Sequence, residues 1–327
     1  MIILLYYIHI YSYKQLCVNI NTMVKLLYLN NTLWEYDFII NDLLFNIDKE
    51  IEIFHIETFN SLLTRKDLVE NNILVLNHNI RFDNIITVVK YIRPIIIFYL
   101  SDEHGNEKHI TILENHTNIL FRQYNHSHYV YSKNNLQLPL GYCKNFINNN
   151  TSLNVQRKKI CERNLNCSFI GTIKSDRLHM ITLFENNMKN TKFIRVNNNW
   201  DINNLPCSPE KSFGIYSDSI FVINGRGNSN LDCFRIYEAI VAGAIPVLVG
   251  STDEISNTFN YNNDIPPFIY DETWEKVLIK CNKLLNDVEE LQKIQNNLIS
   301  WWNNKLASIQ NVIMEELQNY TLSAQHI

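Results

Sequence analysis

Arg235 and Glu238 stand three residues apart, so on a helix they share one face. Together they suit a nucleotide: the guanidinium faces a diphosphate, and the carboxylate accepts hydrogen bonds from ribose hydroxyls. The surrounding segment, residues 219–250 (SIFVINGRGNSNLDCFRIYEAIVAGAIPVLVG), predicts how the pair is held. Ile220, Phe221, Val222 and Ile223 form an apolar run suited to a strand covered on both faces. Asn224, Gly225, Arg226 and Gly227 follow as a loop whose glycines let backbone N–H groups approach a ligand. Ser229, Asn230 and Asp232 are candidate N-caps for the next helix, whose apolar face is Phe234, Ala239, Ile240 and Ala242. Gly243 is a helix stop, and residues 245–249 resume a buried strand. This order places the pair beside a helix N-terminus at the carboxyl end of a parallel sheet. Open α/β folds bind ligands there, and unpaired N–H groups meet an anion. A plain counterpart, a tight turn followed by a surface ion pair, uses the same residue types.

The segment resembles the donor-binding block of exostosin-like enzymes, glycosyltransferase family 47. Glu238, Ala239, Ala242, Gly243, Ala244, Ile245, Pro246 and Val247 fit that block. The loop departs from it: Asn224 and Gly225 are adjacent where the family has Pro-x-Gly, and Cys233 and Phe234 precede Arg235. Losing the loop proline loosens the turn without removing the site. Ser101-Asp102-Glu103, Arg122-Gln123-Tyr124 and Pro139-Leu140-Gly141-Tyr142 resemble three blocks of a subgroup that includes ribitol xylosyltransferase-like proteins. Residues 169–184 (FIGTIKSDRLHMITLF) resemble the strand–helix entry into that family's second domain, and bring in Arg177. Blocks in this order are far more specific than any one alone; neither end of the chain carries a clear match.

The resemblance implies an α/β fold of GT-B architecture, two Rossmann-like domains facing a cleft, with C-terminal helices. It also implies inverting transfer of a sugar from a nucleotide sugar, UDP-linked, to a glycan or glycoconjugate hydroxyl. Glu238 is then the ribose ligand. Arg235, Arg177, Arg226 and Lys174, with the helix end and the loop Asn224-Gly225-Arg226-Gly227, offset the charge of the departing diphosphate. Asp102 or Glu103, following the strand at 95–100, is the base for the acceptor hydroxyl, with His78 as runner-up. A Ser-Asp-Glu triplet also serves as an ordinary turn or cap. Arg122 and Tyr124 shape the cleft or bind the acceptor. The sequence lacks the Asp-x-Asp signature of metal-bridged transfer, so no metal is expected, and the nucleotide sugar is a co-substrate. A non-catalytic glycan- or partner-binding protein of the same fold is the alternative. An oxidoreductase fits poorly, because Asn30-Asn31-Thr32 follows the first strand instead of Gly-x-Gly-x-x-Gly.

Elements must exist to position these residues. In the first half, strands are expected at 24–29, 51–56, 73–77, 95–100, 118–124 and 136–140, with amphipathic stretches near 33–47, 58–70 and 81–92. In the second, strands at 168–170, 192–196, 220–223, 245–249 and 267–270 alternate with helices from 176 and near 209–217, and the chain is helical from 272. The implied domains are an N-terminal acceptor domain (23–150), a nucleotide-sugar domain (160–300) and a terminal helix (301–327) packing back on the first domain. Residues 1–22 read as an appended segment or weak anchor, too short in their apolar part for a spanning helix.

A chain of 327 residues is long enough for two α/β domains, and 46% hydrophobic residues support an ordinary core. A net charge of −4 argues against nucleic acid as a partner. Seven cysteines without a Cys-x-x-Cys pair argue against zinc. Free thiols and a cytoplasmic or membrane-peripheral location are expected. The alternative is a Golgi-lumenal protein with an N-terminal anchor and one or two disulfides among Cys143, Cys161, Cys167 and Cys207. Membrane association is compatible with the sequence but not required by it.

Overall fold

The computed structural model describes residues 23–29, 34–45, 47–77, 82–107, 110–126, 129, 131–148, 150–196, 207–259, 261 and 264–324. Apolar runs such as Ile-Ile-Phe-Tyr-Leu (96–100) become strands buried on both faces, as parallel sheets require. In the first half these are β1 (Val24–Leu29), β2 (Ile51–Ile56), β3 (Asn72–Asn77), β4 (Ile96–Leu100), β5 (Ile119–Arg122) and β6 (Asn135–Gln137). Among the described residues two α-helices belong to this half: the short α1 (Tyr36–Phe38), which runs into a π turn at Ile39–Leu43, and α2 (Phe82–Ile92). The strands form a parallel sheet in the order β2-β1-β3-β4-β5-β6.

The second half repeats the plan with β7 (Leu165–Thr172), α3 (Arg177–Asn187), β8 (Thr191–Val196), α4 (Pro209–Ser217), β9 (Ser219–Asn224), α5 (Phe234–Val241) and β10 (Ile245–Val249). α6 (Thr252–Thr258), β11 (Ile269–Asp271), α7 (Trp274–Leu284) and α8 (Val288–Ala324) complete it. Its parallel order is β11-β10-β9-β7-β8. Both sheets start centrally, step outward once, then return past the first strand. Each therefore has a topological switch point, in the second sheet between β7 and β9.

Gly243 closes α5 in the left-handed region, φ +77°, as a C-terminal stop requires. The last carbonyls of α5 meet cations: Arg157 donates to Val241 O at 3.0 Å and Arg163 to Ala242 O at 3.1 Å. The helix starts later than the sequence suggests. Its N-cap is Cys233, not Ser229, Asn230 or Asp232; Ser229 and Asn230 are used in the loop facing the other sheet.

The stretches 33–47 and 58–70 do not form full helices. The first gives α1 and the π turn; the second gives 3-10 turns at Phe59–Thr64 and Lys66–Leu68. Tertiary bonds override propensity in the first: Asp42 Oδ1 accepts from Thr151 Oγ1 at 2.8 Å and Ser152 N at 2.7 Å. Thr58 makes no capping bond for the second.

α8 touches both halves. Gln295 donates to Gly243 O at 2.6 Å beside the second sheet. Further along, Trp302 stacks on Phe38 (centroids 5.8 Å apart) and donates to Ser152 Oγ at 2.9 Å, and Gln310 donates to Asp42 O at 2.5 Å. Among the described residues six cysteines are free: 143, 161, 167, 207, 233 and 281. Among the described residues no helix is long and apolar enough to cross a membrane. The proposed anchor, residues 1–22, lies outside them, as does the candidate His78.

Candidate active site

A cavity of about 580 Å³ lies between the carboxyl ends of the two sheets. The first half lines it with Trp34, Glu35, Ser101, Glu103, Tyr124 and Cys143; the second contributes Gly171, Lys174, Arg177, Asp232, Arg235 and Glu238, among others. A larger hollow of about 930 Å³ lies elsewhere, along β11 and α7. Of its lysines, 276 and 280 are already paired with Asp271 and Glu272.

The second half makes a cationic wall. Arg235 crosses Gly171 to donate to Ile170 O at 2.9 Å, with its guanidinium 4.6 Å from the Phe169 ring centroid. Arg177, buried at the start of α3, donates to Thr172 O at 3.0 Å and to Arg226 O. Burial, and then the charge of Arg235, lower its pKa to about 10. Lys174 donates to Asn228 Oδ1, and its pKa too is lowered by burial and by Arg177. Mutually repelling cations gathered at a switch point suit an anion. Glu238 sits behind them on α5, where Oε1 accepts from Cys143 N at 3.4 Å; burial raises its pKa.

The cavity also holds buried acids, Glu35 from the first half and Asp232 from the second. Glu35 is fully buried, and desolvation pushes its pKa from 4.5 up to about 7, eased by Gln123 and Ser101. Asp232, also buried, is pushed from 3.8 up to about 8 by desolvation, with Glu103 adding to it. Tyr124 lies among these groups. Burial raises its pKa, and the charges of Glu103, Asp232 and Glu35 raise it further. Its backbone is left-handed, φ 55°, as is that of Ser101, φ 70°. These residues follow the adjacent strands β5 and β4, and such strain persists only where surrounding packing enforces it.

Several expected residues are placed differently. Asp102 does not face the cavity: Tyr129 Oη donates to it at 2.5 Å, Arg122 at 3.4 Å, and Asn106 N and Glu107 N at 3.0 and 3.3 Å. A carboxylate so fully engaged is a turn anchor, which corrects its assignment as base. Arg122 is corrected with it: fully buried, it stacks on Tyr129 at 3.6 Å and does not line the cavity. Arg226 turns away to pair with Glu254, 2.9 Å between Nη2 and Oε2. Asn224 donates to Val222 O on its own strand at 2.9 Å. Gly225 packs against Arg177, where a Cβ would come 2.5 Å from Cγ.

The loop's N–H groups are also spoken for. Gly227 N donates to Asn230 O at 2.8 Å, while Asn228 N and Ser229 N donate to Glu103 Oε1. Glu103 therefore bridges the cleft instead of standing ready for a proton. Sequence reasoning missed Glu35, which lies in no motif, and read Asp232 only as an N-cap; tertiary packing buries both. Among the described residues no group of three or more His, Cys, Asp or Glu side chains is placed to hold a metal.

Two doubly wound parallel sheets that face one cleft and share a C-terminal helix define a GT-B, glycosyltransferase-like fold. The chain belongs to the family described as RXYLT1 C-terminal domain, which matches residues 144–322, more than half its length. That span holds the 169–184 and 219–250 blocks, whereas the blocks at 95–142 precede it. Among solved structures, Anabaena HepE in complex with UDP is similar at TM-score 0.51 and 9% identity, covering 90% of this chain and 100% of that one. HepE with UDP and glucose gives TM-score 0.50 and 10% identity over the same shares. No curated protein sequence matches.

Proposed function

We propose that the chain transfers a sugar from a UDP-sugar to a hydroxyl of a glycan or glycoconjugate, by inverting displacement without a metal ion. One observation carries this reading: a single cavity sets the cations of the second half across from the buried carboxyl of Glu35 in the first. Displacement at a sugar carbon needs that polarity, because negative charge grows on the leaving diphosphate while the attacking hydroxyl sheds a proton. Arg235, Arg177 and Lys174 face the diphosphate, with the N-terminus of α5 beside them. Glu238 accepts the ribose hydroxyls, each charge-assisted bond contributing roughly 1.5–3 kcal/mol. The family membership and the UDP held by HepE agree with this reading.

A panel of nucleotide sugars tests it, scoring protection against thermal unfolding and sugar release. UDP-sugars are expected to raise the melting temperature, by RT ln(1 + [L]/Kd), where GDP- and CMP-sugars do not. No stabilisation by any of them sinks the proposal.

A further inference from the structure

We propose that Glu35 is the general base, taking the proton of the acceptor hydroxyl on Oε2. This inference rests on the transfer reading above. Glu35 lines the cavity while being fully buried. Its two oxygens differ. Oε1 is 3.5 Å from the Ser101 hydroxyl, whereas Oε2 has no donor within hydrogen-bonding distance among the described residues; the nearby Gln123 side chain eases the carboxyl's pKa without closing a bond to it. A buried carboxylate oxygen left unsatisfied is costly, and such atoms in a native cavity call for a ligand or a catalytic role.

The surroundings hold the group in place. Ser101 and Tyr124, both in left-handed backbone, flank it from the ends of β4 and β5. Gln123, between β5 and Tyr124, accepts Ser101 N at 2.8 Å and so braces that turn. Tyr28 of β1 and Tyr124 are among the ionisable groups that feel Glu35; burial keeps both well above their usual range, so both stay neutral while Glu35 titrates. The other carboxylates near the cleft are engaged: Asp102 by four donors, Glu103 by the 228–229 loop, Glu238 by Cys143 N. Asp232 also has carboxylate oxygens without partners among the described residues, but it stands on the half that holds the cationic wall, whereas Glu35 faces that wall from the other half.

In the step, the acceptor O–H bond breaks and its proton passes to Oε2. The oxygen's electron pair forms the new bond to the sugar's anomeric carbon. The bond from that carbon to the diphosphate breaks, and its pair leaves with UDP toward Arg177 and Arg235. A raised pKa near the working pH suits a base that must accept this proton and later release it.

The test uses hydrolysis of whichever UDP-sugar most stabilises the wild type, with water in the acceptor's place, alongside UDP-induced thermal stabilisation. The wild-type rate is expected to rise with pH through a limb near 7, as the Glu35 carboxyl ionises. Glu35→Gln is expected to lose roughly a hundredfold to ten-thousandfold in rate, with that limb abolished and stabilisation by UDP intact. Glu35→Ala is expected to regain rate with added formate, which a structural role does not produce. Should Glu35→Gln keep its rate and pH limb, the assignment is wrong while the donor site stands. If it cannot be folded, a wild-type profile flat between pH 6 and 8 overturns the assignment. Failure of UDP and every UDP-sugar to stabilise the wild type defeats the donor reading first, and this inference with it.

Discussion

Asn228 Nδ2 donates to Glu103 Oε2 at 2.6 Å, joining the end of the first sheet to the loop after β9. Ser229 Oγ adds a bond to Glu103 O at 2.8 Å, so one residue latches the cleft on both its side chain and its backbone. Because the contact is partly exposed, Glu103→Ala should cost about 1 kcal/mol, lowering the melting temperature by about 2 °C. The variant should keep the pH limb near 7. Loss of that limb would return the base to Glu103.

Glu238→Ala should weaken UDP-sugar binding by about tenfold to a hundredfold, one decade being about 1.4 kcal/mol. Calorimetric titration with UDP measures this. Unchanged affinity removes Glu238 from the ribose.

Gly171 has no side chain where Arg235 crosses it: an added Cβ would lie 2.7 Å from Arg235 Nη2 and 2.9 Å from Phe169 Cζ. Gly171→Ala should therefore displace the guanidinium. Arg235→Lys should lose both the stacking on Phe169 and the bond to Ile170 O. Each variant should lower kcat/KM by about a hundredfold, as removal of a leaving-group stabiliser does. If Gly171→Ala is kinetically silent, Arg235 does not act from the position it occupies.

Stability should fall as pH rises from about 4 to 8. Glu35 and Asp232 have folded pKa values of about 7 and about 8, against ordinary values of 4.5 and 3.8. The folded state therefore binds more protons than the unfolded chain in that interval, and their stabilising contribution is complete only below the ordinary values. For Glu35 the loss reaches about 3 kcal/mol once the folded group has ionised. Asp232→Asn should flatten the upper part of the profile and raise the melting temperature at pH 8. A profile that instead climbs between pH 5 and 8 contradicts these shifts.

Sugar release should be unaffected by a chelator such as EDTA, because the cationic wall takes the role a divalent ion has elsewhere. Activity abolished by EDTA and restored by manganese would reverse this expectation.

Much of the fold was legible because buried parallel strands write themselves as apolar β-branched runs; 24–29, 51–56 and 245–249 match the observed β1, β2 and β10 to the residue. α4 was as clear, with Ser208 as N-cap and Pro209 in the first turn. The stretch near Asp42 was not, because side-chain bonds to Thr151 and Ser152 decided its shape. That near Thr58 was not, because local bonds from Ser61 and Thr64 to main-chain carbonyls accompany 3-10 turns there. The cationic residues Arg177, Lys174 and Arg235 were readable from local pattern, and the structure does bring them together at one cavity wall. The carboxyls were not readable in the same way. Asp102 looks exposed in a Ser-Asp-Glu turn yet is buried under Tyr129, while Glu35 sits in an unremarked Leu-Trp-Glu-Tyr and acquires its character only from Ser101, Gln123 and Tyr124.

The 37 residues of α8 extend over about 55 Å, fastened to Gly243 near one end and to Asp42 further along. Pulling the sheets straight apart would strip Trp302 from Phe38 and Ser152, both buried contacts. A swivel about that rod would leave those contacts in place. A substance entering or leaving would pass the latch, and its tempo would follow how readily the rod lets the two slabs turn.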